Sequence, residues 1–264
     1  MNVITLSAAD LSIAAGLVIV LAGLSVWLQL GLGKQIVIAG LRTTIQLLLI
    51  GLVLKVLFEQ SQLTWISLLA MVMLLVAGRE VMARQKRRFG GLWGFGLGTI
   101  TMFVSSFSIT VFVLLMIIQN DPWYKPQYAI PLLGMMLGNT MTGIALALDR
   151  LTDSAWQQRG VIEAQLILGY DWRAAIRGMA KDSVRVGLVP MINAMAAAGL
   201  VSLPGMMTGQ ILSGTPPLEA VKYQILIMFM ITAGTGFATM GAVWVGARHL
   251  FDERQRLRLD RIKN

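Results

Sequence analysis

Twenty consecutive residues, Leu11–Leu30, carry no charged side chain. Wound as a helix rising about 1.5 Å per residue, such a run crosses the roughly 30 Å hydrocarbon core of a bilayer. Largely apolar runs recur at Ile36–Leu57, Leu63–Gly78, Leu92–Ile118, Ala129–Leu148, Val186–Leu212 and Ala220–Ala247. They amount to about seven spans, the third short and the sixth interrupted. With 56% hydrophobic residues and 13% charged, the chain is too apolar for an ordinary soluble domain of this length. The expectation is an all-α integral membrane protein: one polytopic domain over residues 1–264, about seven transmembrane helices, and a largest extramembrane segment at 149–185.

The basic residues set an expected orientation. Arg79, Arg84, Lys86, Arg87 and Arg88 follow the third span against Glu80 alone. Arg150, Arg159, Arg173, Arg177, Lys181 and Arg185 lie between the fifth and sixth, and Arg248, Arg254, Arg256, Arg258, Arg261 and Lys263 close the chain. The loop QNDPWYKPQY has one lysine and one aspartate. The positive-inside rule then predicts a multi-pass protein of the inner (plasma) membrane, N-terminus outside and C-terminus cytoplasmic. Nothing basic precedes Leu11, so the first span lacks a secretory n-region and is expected to be retained.

The net charge of +9 does not point to nucleic acid, because the basic residues flank spans, where they set topology and meet anionic lipid. The absence of cysteine removes disulfides, thiolate metal sites and cysteine nucleophiles together. A proton-coupled carrier calls for a carboxylate deep in a span, and an intramembrane protease for paired catalytic groups. The sequence offers no mid-span carboxylate, and its lone histidine, His249, follows the last span. No catalytic residue and no cofactor are expected in this chain.

The segment 149–185 reads as helix, corner, helix on the cytoplasmic side. Asp153 or Ser154 fits the start of the first helix. Gly169 fits its C-cap, being able to adopt positive φ. Asp171 fits the N-cap of a second helix that begins at Trp172 and runs into the sixth span through KDSVRVGLVP. The corner would present Tyr170, Asp171 and Trp172 to a partner protein, or serve as a solvated connector.

Within it, EAQLILG resembles the Glu-Ala-Ala-x-x-x-Gly signature of ABC importer permeases, whose helix couples to the ATPase. Glu163, Ala164 and Gly169 match; Gln165 departs, and LVP stands where Leu-Pro is usual. More extensively, LRTTIQLLLIG, GMMLGNTMTG, KDSVRVGLVP, GLVSLPGMMTGQILSG and PLEAVKYQILIMFM resemble the FetB (YbbM) family of iron-export permeases. The resemblance covers about Ile36 to Met230. It implies a permease subunit, working as a homodimer, that exports iron with a separate ATP-binding ABC subunit, and it gives Glu163, Gly169, Tyr170, Asp171 and Trp172 the coupling role. ATP and Mg would be bound by that partner: the nearest approach to a P-loop here, GLGKQ, lacks the glycine spacing and the hydroxyl residue. An ABC permease for another metal, a sugar nucleotide or a lipid, or a membrane scaffold recruiting a cytoplasmic partner, stays open beside it.

Polar groups inside spans are costly and mark a pathway, a subunit interface or interhelical bonding. Arg42 and Gln46, one turn apart on the second span, with Asn139 and Asn193, are the candidates. In LVSLPGMM, Pro204 removes a backbone donor and Gly205 adds freedom, so the sixth span should kink or end there as an outer gate or a rigid corner. Small residues four apart (Gly90, Gly94, Gly98; Gly134, Gly138, Thr142; Gly234, Ala238, Ala242, Gly246) offer close-packing faces within the subunit or between two copies. Met206 and Met207 are candidate thioether metal ligands, although methionine also fills irregular gaps in cores.

Overall fold

The computed structural model describes residues 7–60 and 62–263, which divide into two compact units. The smaller holds residues up to Gln62 with Leu212–Gly214. Its two helices are α1 (Ala8–Trp27) and α2 (Gly33–Gln60). A capping box starts α1: the Asp10 amide donates to Ser7 Oγ, and the Ser7 amide donates to Asp10 Oδ2 at 2.8 Å. The chain turns back through left-handed Gln29 and Gly31. Gly33 then lets α2 start directly against Ala22 and Val26 of α1. The most apolar window of α2 buries nothing, so its leucines and valines face outward, as lipid-facing side chains do.

The larger unit is a bundle. Its rods are α3 (Leu63–Ala83), the continuous helix Gly91–Ile118, α6 (Pro126–Gln157), α8 (Trp172–Ala197) and α10 (Pro217–His249). The second rod is α4 (Gly91–Met102) and α5 (Ser108–Phe112) interleaved with two π-helical stretches, Phe103–Phe107 and Val113–Ile118. Glycine spacing sets the approach of these rods. Gly78 meets Thr99 and Phe95, Gly98 meets Val81, Gly134 meets Met73, Gly234 meets Met136, and Gly246 meets Leu148 and Phe89. These small-residue faces are therefore consumed within the subunit. Gly138, with open space beside it, is not.

One buried cluster runs from Ala70 and Leu133 to Leu250 and Phe251, where Phe89, Leu151, Ile162 and Ile176 are almost wholly enclosed. A second, toward the opposite ends of the rods, gathers Leu114, Met136, Met191, Ile227 and Met230. The chain's end adds a strand: β1 (Arg88–Phe89) pairs antiparallel with β2 (Ile262–Lys263), Arg88 opposite Lys263.

Among the described residues six helices are long and apolar enough to cross a membrane: α1, α2, α3, Gly91–Ile118, α6 and α10. The expected sixth span, Val186–Leu212, is not one of them. It falls on α8, which carries Arg173, Arg177, Lys181, Asp182 and Arg185, and on the short α9 (Gly205–Leu212). Even so, α8 runs antiparallel between α6 and α10 from the corner into the bundle: Arg150 pairs with Asp182 at 2.7 Å, Gly143 meets Gly187, and Met191 joins the second cluster.

Candidate functional site

The sequence candidates that converge are those of the corner. Here α6 runs past Asp153 and Ser154 to Gln157, so neither caps a helix. Both are already employed: Asp153 pairs with Arg87 at 2.8 Å, and Ser154 is buried. Arg87 also lies over the Trp156 ring, the Lys86 amide donates to Asp149 Oδ1, and Thr152 Oγ1 donates to the Arg87 carbonyl. The loop after α3 is thereby fastened to α6. After a bend at Gln158, α7 (Arg159–Ile167) is anchored by Ile162, which is fully enclosed.

The turn itself is a Schellman cap. Gly169, at φ +90°, donates to the Leu166 carbonyl, and Tyr170 donates to the Gln165 carbonyl at 3.1 Å. Asp171 then caps α8, accepting from the Ala174 amide at 2.8 Å. Gly169, Asp171 and Trp172 thus occupy the places their residue types predict. The tip is apolar and bare: Ile167 is 85% exposed, Leu168 76% and Tyr170 56%. Glu163 is exposed on α7 beside it.

A second wall comes from residues the sequence reading assigned only to topology. Past α10 the chain folds into a tight hook, Phe251 bridging to Leu257. Asp252 organises it: Oδ1 accepts from the Arg254 and Arg256 amides, both at 2.9 Å, and Oδ2 accepts from Arg256 Nε at 2.8 Å. The Arg256 amide, foremost, holds the Asp252 carboxyl below the usual carboxylate range. Beyond the hook, a bidentate bond from Arg258 lowers Asp260 to about 2. Gln255, in left-handed conformation, extends its side chain so that Oε1 accepts from the Trp172 amide at 3.1 Å. The first turn of α8 therefore has two caps, one local and one from the far end of the chain. Arg173 and Arg248 flank the Trp172 ring at 5.5 and 5.4 Å. Corner and hook enclose an open groove of about 710 Å³ lined by Glu163, Ile167, Tyr170, Glu253, Arg254 and Arg256, among others. Asp252 carried a weak signal, being an Asx residue before a polar turn; Gln255 carried none.

The path candidates do not assemble in this way. Arg42 and Gln46 lie on an exposed face of α2 in the smaller unit. In the larger unit, Asn139 Nδ2 donates to the Met135 carbonyl of its own helix, and Asn193 is exposed on α8. Pro204 does not kink a continuous helix. Helix α8 ends at Ala197, Gly199 turns the chain at φ +83°, and the Pro204 carbonyl accepts from Thr208 at the start of α9. The break comes earlier because Gly199 can take the left-handed turn, leaving Pro204 at a helix entry, where its missing N–H costs nothing. On α9, Met206 packs against the second buried cluster and Met207 is half-buried. Among the described residues no group of three or more His, Cys, Asp or Glu side chains converges as a metal centre would require.

Comparisons with known proteins agree with the family suggested by the motifs. The family described as "Uncharacterised protein family (UPF0014)" matches residues 8–251. A UPF0014 membrane protein of Synechocystis is 39% identical over 259 residues, 96% of this chain and 97% of that protein. "Probable iron export permease protein FetB" of Escherichia coli is 31% identical over 263 residues, covering 100% of this chain and 99% of its own. "Protein ALUMINUM SENSITIVE 3" of Arabidopsis thaliana is 34% identical over 232 residues, 87% of this chain and 82% of that one. No solved structure matches. With the match running from the first helix to the hook, the chain belongs to the UPF0014 family of multi-pass membrane proteins.

Proposed function

We propose that this chain is the permease subunit of an ABC exporter that carries iron out of the cytoplasm. In this reading it works as a homodimer in the inner (plasma) membrane, N-terminus outside and C-terminus cytoplasmic. A separate subunit binds ATP and Mg and docks on the corner. The observation that carries the reading is the corner's construction: an exposed apolar tip, Ile167–Leu168–Tyr170, held by a Schellman turn and two helix caps at the basic end of the bundle. An exposed apolar tip held at a fixed angle suits a partner that docks on it. Glu163 and Tyr170 meet the partner, while Gly169, Asp171 and Trp172 fix the angle between α7 and α8.

The iron assignment follows the name of the Escherichia coli relative, an iron export permease. A second reading, a permease for another metal, is favoured by the plant relative named for aluminium sensitivity. The test is ATP-dependent movement of Fe(II) in proteoliposomes holding this chain and its candidate ATPase, with other metals as competitors. The expected result is iron flux that Gly169→Pro abolishes while assembly persists. ATP hydrolysis without movement of any metal would overturn the substrate; failure of an ATPase to bind the chain would overturn the permease reading.

A further inference from the structure

Where α10 ends against the start of α4, two cavities adjoin. One, of about 330 Å³, has Trp93, Val245, Arg248, His249 and Arg261 in its lining. The other, of about 240 Å³, is lined by Trp93, Gly96, Leu97, Ile100, Thr101 and Val245. Trp93 and Val245 belong to both linings, so the pair follows the seam between α4 and α10.

Their chemistry changes along that seam. The second cavity runs inward: Trp93 to Thr101 is about 12 Å of helix, most of one leaflet of a hydrocarbon core about 30 Å thick. Its one hydroxyl is satisfied within α4, since Thr101 Oγ1 donates to the Leu97 carbonyl at 2.8 Å. A methyl added to Gly96 would meet nothing within 4 Å, so this glycine leaves an apolar trough that a larger residue would fill. The first cavity carries the charge. Arg248 Nη1 donates to the Phe251 carbonyl at 3.3 Å, and Arg261 Nη1 to the His249 carbonyl at 2.6 Å. A guanidinium has five N–H donors, so each keeps several to spare. Neither joins a salt bridge among the described residues; Asp252 and Asp260 of the same tail are held by Arg256 and Arg258. Glu253, exposed, is the other carboxylate on this lining beside Asp252. Between the two cavities the His249 ring stacks on Trp93 with centroids 3.4 Å apart, and Phe89 meets both rings edge-on. That stack fixes Trp93 at the boundary, the level where tryptophans gather at a membrane surface.

A cationic pocket adjoining an apolar trough at an interfacial tryptophan fits an amphiphile with an anionic head. A soluble anion would leave the trough empty, and a neutral lipid would leave two guanidiniums unpaired. We infer that the seam binds one anionic phospholipid of the cytoplasmic leaflet, its phosphate on Arg248 and Arg261 and an acyl chain along the trough past Gly96. The planar fork of arginine matches phosphate oxygens, and Arg248 belongs to α10 whereas Arg261 belongs to the chain's end, so the lipid ties the tail to the last span. The leaflet rests on the orientation proposed above; the site itself rests on neither cargo nor ATPase.

The full chain, purified in uncharged detergent, is titrated with dioleoylphosphatidylglycerol, dioleoylphosphatidylcholine or glycerol 3-phosphate, and bound molecules are counted by native mass spectrometry. The expected result is one phosphatidylglycerol held per chain, roughly tenfold tighter than phosphatidylcholine and not displaced by excess glycerol 3-phosphate. Arg248→Gln/Arg261→Gln and Gly96→Leu should each weaken it roughly fivefold or more. Arg254→Gln, a basic residue of the hook outside the cavity, should not. Gly96→Leu leaves both arginines in place, so its result stands even where the double variant does not fold. Wild-type affinity in either cavity variant, equal loss in Arg254→Gln, or displacement by glycerol 3-phosphate overturns the site. No ATP or metal enters the measurement, so a chain that fails to transport defeats the permease reading and leaves this result standing.

Discussion

Replacing Asp171 by alanine removes one of the two caps on the first turn of α8. The lost bond is the 2.8 Å acceptance from the Ala174 amide, and an N-cap of this type is worth about 1 kcal/mol. Since 1.4 kcal/mol is tenfold in an equilibrium, local opening of the turn should become roughly fivefold more frequent. Gln255→Ala removes the other cap, a 3.1 Å bond to the Trp172 amide, also worth about 1 kcal/mol. The two groups hold N–H donors of the same turn, so roughly 25-fold is the additive ceiling for the double variant, and a smaller value measures their coupling. Hydrogen exchange over residues 171–177 of the purified chain measures this directly, with residues 186–192 as an internal reference that should not change. Unchanged exchange in Gln255→Ala would show that the hook does not hold α8, and with it the idea that corner and C-terminus form one rigid element would fall.

Other outcomes follow from the same geometry. Gly187→Ala places a methyl against backbone, whereas Gly234→Ala meets side chains alone, chiefly the flexible end of Met136. The first should lower stability by about 1–3 kcal/mol and the second by less, read as thermal unfolding midpoints in detergent. The Asp252 and Asp260 carboxyls are held low by their arginine neighbours, Asp260 at about 2 against an ordinary 3.8. A depressed carboxylate contributes its stabilisation in full above the ordinary value and loses it as pH falls toward the folded one. Protection of the hook should therefore be flat from pH 7 to 5 and decline below 3.8, with the Asp252→Asn variant already low at pH 7. Ser105→Ala deletes a buried 2.7 Å bond to the Gly234 carbonyl and should cost about 1 kcal/mol, while Arg150→Ala, whose partner Asp182 is half-exposed, should cost no more than about 1 kcal/mol by the same thermal assay.

Six of the seven expected spans and the corner were legible in the sequence, for the reason that makes membrane proteins readable at all, whereas the expected span Val186–Leu212 falls on the charged α8 and the short α9. Lipid imposes length and polarity on each segment locally, and a turn such as Gly169–Tyr170–Asp171 is fixed by the φ and capping preferences of its own residues. Legibility failed where a residue's role depends on a distant partner. Asp153 has the chemistry of a helix cap, but Arg87 claims it and α6 runs on. Pro204 has the chemistry of a kink, but Gly199 turns the chain first.

By itself the sequence determined that this is a helical membrane protein and where α7 gives way to α8, because helix length, apolarity and backbone φ are local properties. Tertiary structure alone decided that the C-terminal hook caps α8 through Gln255 and that Gly143, Gly187, Thr235 and Thr239 share one crossing. Those contacts join residues many positions apart, and their geometry comes from how rods pack, a property no single segment carries.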